Sequence, residues 1–143
     1  MFWVVVASNA GATIYQAENR ADPLEEFESL DNSEYQLKKQ DMSSDRPGRS
    51  FDIVGAGRHA MSPPTDPKEH AAVVFAKRLA ARIEAGRMGG EYDALVLVAA
   101  PKMLGRLRKE ISETTVPMIK HEIAQNLFHM GPKQIRDHLP DFL

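Results

Sequence analysis

The chain has 143 residues, 43% of them hydrophobic and 27% charged, which is the composition of one globular domain. Eighteen Lys and Arg against twenty Asp and Glu leave a net charge of −2. That excludes a whole-chain basic footprint for nucleic acid but leaves a local patch open. With no cysteine, a disulfide scaffold, a thiol nucleophile and a thiolate metal site are also excluded.

The chain opens on an apolar run at residues 2–7, β-branched and aromatic, the pattern of a buried central strand. The run is too short to cross a bilayer, and no Lys or Arg precedes it. The expectation is a cytoplasmic protein with no membrane partner. Ser8-Asn9-Ala10-Gly11 is a turn signal, and residues 12–17 form a second strand. Residues 24–30 alternate less cleanly, with Leu24, Glu26, Glu28 and Leu30 on one face, as in a third, more exposed strand.

Residues 31–65 have little apolar periodicity and hold Pro47, Gly48, Gly55, Gly57, Pro63 and Pro64. A loop of this length within a compact domain points to function or disorder. A short helix within residues 34–40 is compatible with the composition but is not included in the expected order. Asp66-Pro67-Lys68-Glu69 then has the form of a helix start. Ala72, Phe75, Ala76, Leu79, Ala80 and Ile83 form one helical face, which ends among residues 86–90. Residues 93–100 are a nearly continuous apolar run, typical of a strand covered on both faces. Pro101 starts a second helix with Leu104, Leu107 and Ile111 inward. Residues 116–125 have the pattern of a fifth strand. Gly131-Pro132 precedes a last helix carrying Ile135 and Leu139.

The predicted order is β-β-β-α-β-α-β-α. It implies a single α/β domain over residues 1–143, a five-stranded mixed sheet flanked by helices.

The candidate site residues cluster in the long loop. Arg46, Arg49 and Arg58 stand beside glycines, a chemistry suited to gripping phosphate or RNA, because guanidinium is a planar fork and glycine admits close backbone approach. Asp45, Ser50 and Asp52 are suited to bracing the same arginines, and the two roles are compatible. His59 is the loop residue able to transfer protons near neutral pH, with Asp52 as its orienting partner. Neither a nucleotide-binding glycine fingerprint nor a nucleophile elbow is present. Asp45, Asp52, His59 and His70 lack the spacing of a metal site, so no metal and no cofactor is expected. Lys102, Arg106, Arg108 and Lys109 make the second helix basic, and its start follows a central strand where α/β ligands bind. The simpler reading of these four is a solvated helix face. His121 is expected half-buried on the fifth strand, and His129 and His138 on the surface.

The residues resemble a bacterial family of host attachment proteins. The resemblance runs through residues 3–7 and 9–12, then Ser44-Asp45-Arg46-Pro47-Gly48-Arg49-Ser50-Phe51-Asp52 and Gly57-Arg58-His59. It continues through Phe75-Ala76, Leu79-Ala80, residues 92–101 and Leu104-Gly105-Arg106-Leu107-Arg108. The Asp-Arg-Pro-Gly-Arg-Ser-Phe loop is its specific part. The chain departs from the family pattern at Ala100-Pro101, often two prolines, and at Gln125-Asn126-Leu127-Phe128. The order of elements is also similar to the ribonuclease-H-like central domain of peptide-chain release factors, whose corresponding loop carries Gly-Gly-Gln. That motif is absent here, so peptidyl-tRNA hydrolysis is not implied. The resemblance suggests an RNA-, tRNA- or ribosome-associated binding protein that uses Arg46, Arg49, Arg58 and His59. The alternatives are a hydrolase of an RNA or nucleotide ester with His59 as acid or base, and an interaction module that forms a homo-oligomer.

Overall fold

The computed structural model describes residues 1–19, 21–44 and 67–140. Five strands form one sheet: β1 (Phe2–Ser8), β2 (Gly11–Ala17), β3 (Glu25–Asp31), β4 (Ala94–Ala99) and β5 (Ile119–Ile123), in the order β3-β2-β1-β4-β5. β2 is antiparallel to β1 and to β3, while β4 is parallel to β1 and to β5. The described helices are α1 (Ser33–Ser44), α2 (Pro67–Met88), α3 (Pro101–Glu110) and α4 (Pro132–Asp137), with a 3₁₀ turn at Val116–Met118. The chain is therefore a single α/β domain with a mixed sheet flanked by helices.

β1 is central because every side chain from Phe2 to Ala7 is buried. Alternation sends Trp3, Val5 and Ala7 to the α2/α3 face, where they meet Phe75, Leu79, Ile83, Leu104 and Leu107. Phe2, Val4 and Val6 face the other way, onto Leu127, Ile135 and Leu139. α2 passes very close to the sheet at Gly86, where an added Cβ would sit 2.5 Å from the Trp3 indole. Its end is followed by Gly90, whose φ of 67° lies in the left-handed region that glycine adopts without strain.

Two expectations need correction. The stretch 31–65 does not begin as a loop: Asp31 belongs to β3, and α1 occupies Ser33–Ser44. α1 has no apolar stripe and leaves Leu37 58% exposed, so periodicity could not reveal it. Its first turn is held by a local cap and a tertiary contact instead. Buried Asn32 accepts the Tyr35 N–H at its Oδ1 (3.3 Å), and Tyr35 packs on the core. The fifth strand is also shorter than residues 116–125. Pro117 has no N–H for the ladder, and Val98–Ile123 is the last pair with β4.

Candidate functional site

β1 and β4 lie side by side and parallel, but their chains leave in opposite directions. β1 turns back into β2 on one side, and β4 continues through α3 to β5 on the other. Their shared carboxyl end is a topological switch point, the place where open α/β sheets form a crevice. A pocket of about 180 Å³ opens there, lined by Asn9, Tyr35, Lys68, Glu69, Ala72, Lys102 and Arg106.

Asn9 sits in the β1–β2 turn, which is fastened from three directions. Asn32 Nδ2 donates to the Asn9 carbonyl at 2.8 Å and to the Ala71 carbonyl of α2 at 3.2 Å. The Asn32 N–H and Gln36 Nε2 both donate to the Ala10 carbonyl. Ser8 Oγ accepts the Ala10 N–H. Asn32 thus joins the β1–β2 turn, α1 and α2 at one buried point.

Lys102 and Arg106 are one turn apart on α3 and face the first turn of α2. Arg106 Nη2 donates to Glu69 Oε1 at 2.5 Å, and its Nη1 reaches Asn9 Oδ1 at 3.4 Å. Lys102 Nζ lies 3.2 Å from the same Glu69 oxygen. The hydrogen bonds from Lys102 and then Arg106 hold the Glu69 carboxyl below its ordinary range. Lys68 is half-buried in the pocket wall and makes no ion pair with any described residue. The lining therefore carries three cations against one carboxylate.

This corrects the reading of the α3 basic residues as one solvated face. Arg106 turns inward with only 12% of its side chain exposed, while Lys102 is 72% exposed at the rim. Arg108 belongs elsewhere and pairs with Glu122 of β5. Lys109 is exposed. His121 is half-buried, and His70, His129 and His138 are exposed, as expected.

Arg46, Arg49, Arg58 and His59, with the bracing set Asp45, Ser50 and Asp52, lie outside the described residues. Among the pocket residues, the sequence pointed to Lys102 and Arg106. It did not single out Lys68 or Asn32, and it cast Glu69 as a helix-start residue and Asn9 as a turn residue. An Asn directly between a strand and a helix is a cap signal, and it would have marked Asn32 had α1 been included.

No helix among the described residues is long and apolar enough to cross a membrane. The fold and the pocket define an α/β domain with a cationic crevice at the switch point of a mixed sheet. The family model described as "protein required for attachment to host cells" matches residues 3–139, and the chain belongs to that family. No curated protein matches it.

Proposed function

We propose that this host-attachment family domain is a cytoplasmic RNA-associated binding protein that engages phosphate at the β1/β4 switch point. The observation that carries this reading is the gathering of Lys68, Lys102 and Arg106 around one pocket, with a single carboxylate among them. Cations clustered in a crevice attract polyanions, and a guanidinium held by an oriented partner is a preorganised phosphate donor. The segment with Arg46, Arg49, Arg58 and His59 precedes Pro67 and Lys68 in the chain. These arginines supply further phosphate contacts to the same ligand. The release-factor-like reading is supported by the order of elements, with the long segment before α2. The link to host attachment is then indirect, through the RNA or ribosome that the domain engages.

The test is recovery of the tagged protein from its own cells at low salt, with co-purifying RNA identified. Wild type is compared with an Arg46/Arg49/Arg58→Ala variant and with Lys68→Gln. RNA should accompany wild type and be lost from both variants, and the affinity should fall steeply with salt. RNA recovery that is equal in all three, or absent from wild type, sinks the reading.

A further inference from the structure

We infer that the switch-point pocket selects a terminal phosphate monoester over the diester backbone, with Glu69 as the internal competitor that enforces the choice. This rests on the phosphate-binding reading above and names the ligand group of that site.

A pocket of about 180 Å³ has room for about six waters at their liquid volume of ~30 Å³ each. It lies below the range of about 300–1,000 Å³ of clefts that hold whole small molecules. The pocket therefore takes a phosphoryl group and leaves the rest of the ligand outside.

Charge then decides which phosphoryl group. The Glu69 carboxylate already occupies the anion position, held by Arg106 Nη2 at 2.5 Å and by Lys102 Nζ at 3.2 Å. As part of the same chain it competes at an effective concentration of about millimolar or higher. A backbone diester carries one negative charge, no more than the carboxylate it would displace. It gains little from the exchange. A monoester carries close to two charges at neutral pH, and has three terminal oxygens to share. It satisfies Arg106 and Lys102 together, and it also meets Lys68, which has no ionic partner among the described residues. Asn9 Oδ1 beside Nη1 keeps the Arg106 fork turned toward the pocket when Glu69 moves away. The ligand class is thus the phosphorylated end of a nucleic acid or a nucleoside monophosphate.

Calorimetric titration of the full chain tests this. The probes are three short RNAs of one sequence, one with a 5′-phosphate, one with a 3′-phosphate and one with hydroxyls at both ends. Adenosine monophosphate is the fourth probe. One phosphorylated RNA should bind at least about tenfold tighter than the hydroxyl-ended one, the effect of a single charge-assisted hydrogen bond. Lys68→Gln and Arg106→Gln should each reduce that ratio toward one. Lys68 is the safeguard, because it has no ion pair among the described residues whose loss would disturb folding. Glu69→Gln should tighten the hydroxyl-ended RNA most, so that the ratio narrows from the other side. Equal binding of the three RNAs overturns the inference and leaves the RNA reading standing. Binding of the monophosphate alone, weakened by Lys68→Gln, upholds the pocket and removes RNA as its ligand. No binding by any probe overturns both.

Discussion

Arg106 Nη2 and Glu69 Oε1 meet at 2.5 Å across the switch point, and this contact joins α3 to the first turn of α2. The pair sets the charge balance of the pocket, because Glu69 is the one acidic side chain in a lining with three cations. Glu69→Gln leaves those cations facing one another with no carboxylate between them. An added anion then binds the folded state more favourably and raises its melting temperature by linkage. Thermal melts in rising phosphate, at constant ionic strength, should move further upward for Glu69→Gln than for wild type. The extra shift should vanish in Glu69→Gln/Arg106→Gln. Identical phosphate dependence in all three proteins would remove the anion site.

Asn32→Ala should lower stability by about 2–4 kcal/mol. The change deletes a helix cap worth about 1 kcal/mol and two hydrogen bonds of about 0.5–1.5 kcal/mol each to carbonyls it shares with the turn and α2. Urea unfolding measures the loss. The same variant should bind RNA more weakly, because the Asn9 turn loses its fastening. Asn32→Asp keeps the cap acceptor but sets a buried carboxylate oxygen against the Asn9 and Ala71 carbonyls, so it should cost at least as much as Asn32→Ala. A loss below about 0.5 kcal/mol for Asn32→Ala would show that the three elements are held by other contacts.

Gly86→Ala places a methyl 2.5 Å from the Trp3 Cη2 and 3.1 Å from Tyr92. Both rings are buried, so neither can swing into solvent. Overpacking of this kind costs about 1–3 kcal/mol. The indole lies under the Arg82 guanidinium at 5.1 Å and beside the Tyr92 ring at 4.6 Å. Its emission should therefore shift in the variant while the far-ultraviolet spectrum keeps its form. Unchanged emission and stability would mean that α2 moves off the sheet freely.

Glu84 gives the fold an acid limb. Its carboxyl is lowered from 4.5 to about 2, first by hydrogen bonding to Arg87, then by Thr115 and Ser112. A depressed carboxyl stabilises the folded chain above the unfolded value, and that contribution is lost as pH falls through about 2. Stability measured from pH 5 down to pH 2 should therefore drop more steeply in wild type than in Glu84→Gln. Parallel profiles would remove Glu84 from the acid response. The network holds the segment after α3 to α2, since exposed Ser112 and buried Thr115 both reach this carboxylate.

Tyr92 does the reverse at high pH. Burial, and then the nearby Glu84 charge, push its hydroxyl up from 10.0 to about 12, and it donates to the Ile83 carbonyl at 2.8 Å. The neutral hydroxyl stabilises the fold fully below pH 10, and that contribution fades as pH rises toward about 12. The phenolate absorbance of native protein should be incomplete near pH 10, because Tyr92 and also Tyr15 are raised, and it should be recovered on unfolding. In Tyr92→Phe the deficit shrinks to the part due to Tyr15, and stability falls by about 0.5–1.5 kcal/mol. A full phenolate signal at pH 10 in the native protein would contradict the burial argument.

Sequence by itself determined the sheet and the long helix. Residues 2–7 and the run ending at Ala99 are apolar on both faces, and α2 repeats its apolar positions at helical spacing, so local pattern was enough. The buried placement of Trp3, Phe75 and Leu79 followed from the same periodicity. Tertiary structure decided α1, which lacks an apolar stripe: its local Asn32 cap is backed by the Asn32 bonds to the Asn9 and Ala71 carbonyls and by Tyr35 packing on the core. It also decided the pocket. Asn9 and Arg106 stand 97 positions apart, and Glu69 lies 37 from Arg106. Nothing in local pattern relates such residues. They meet because β4 inserts in parallel beside β1 and brings the start of α3 against the β1–β2 turn. Charges on separate elements become a site only when the strand order sets their distances.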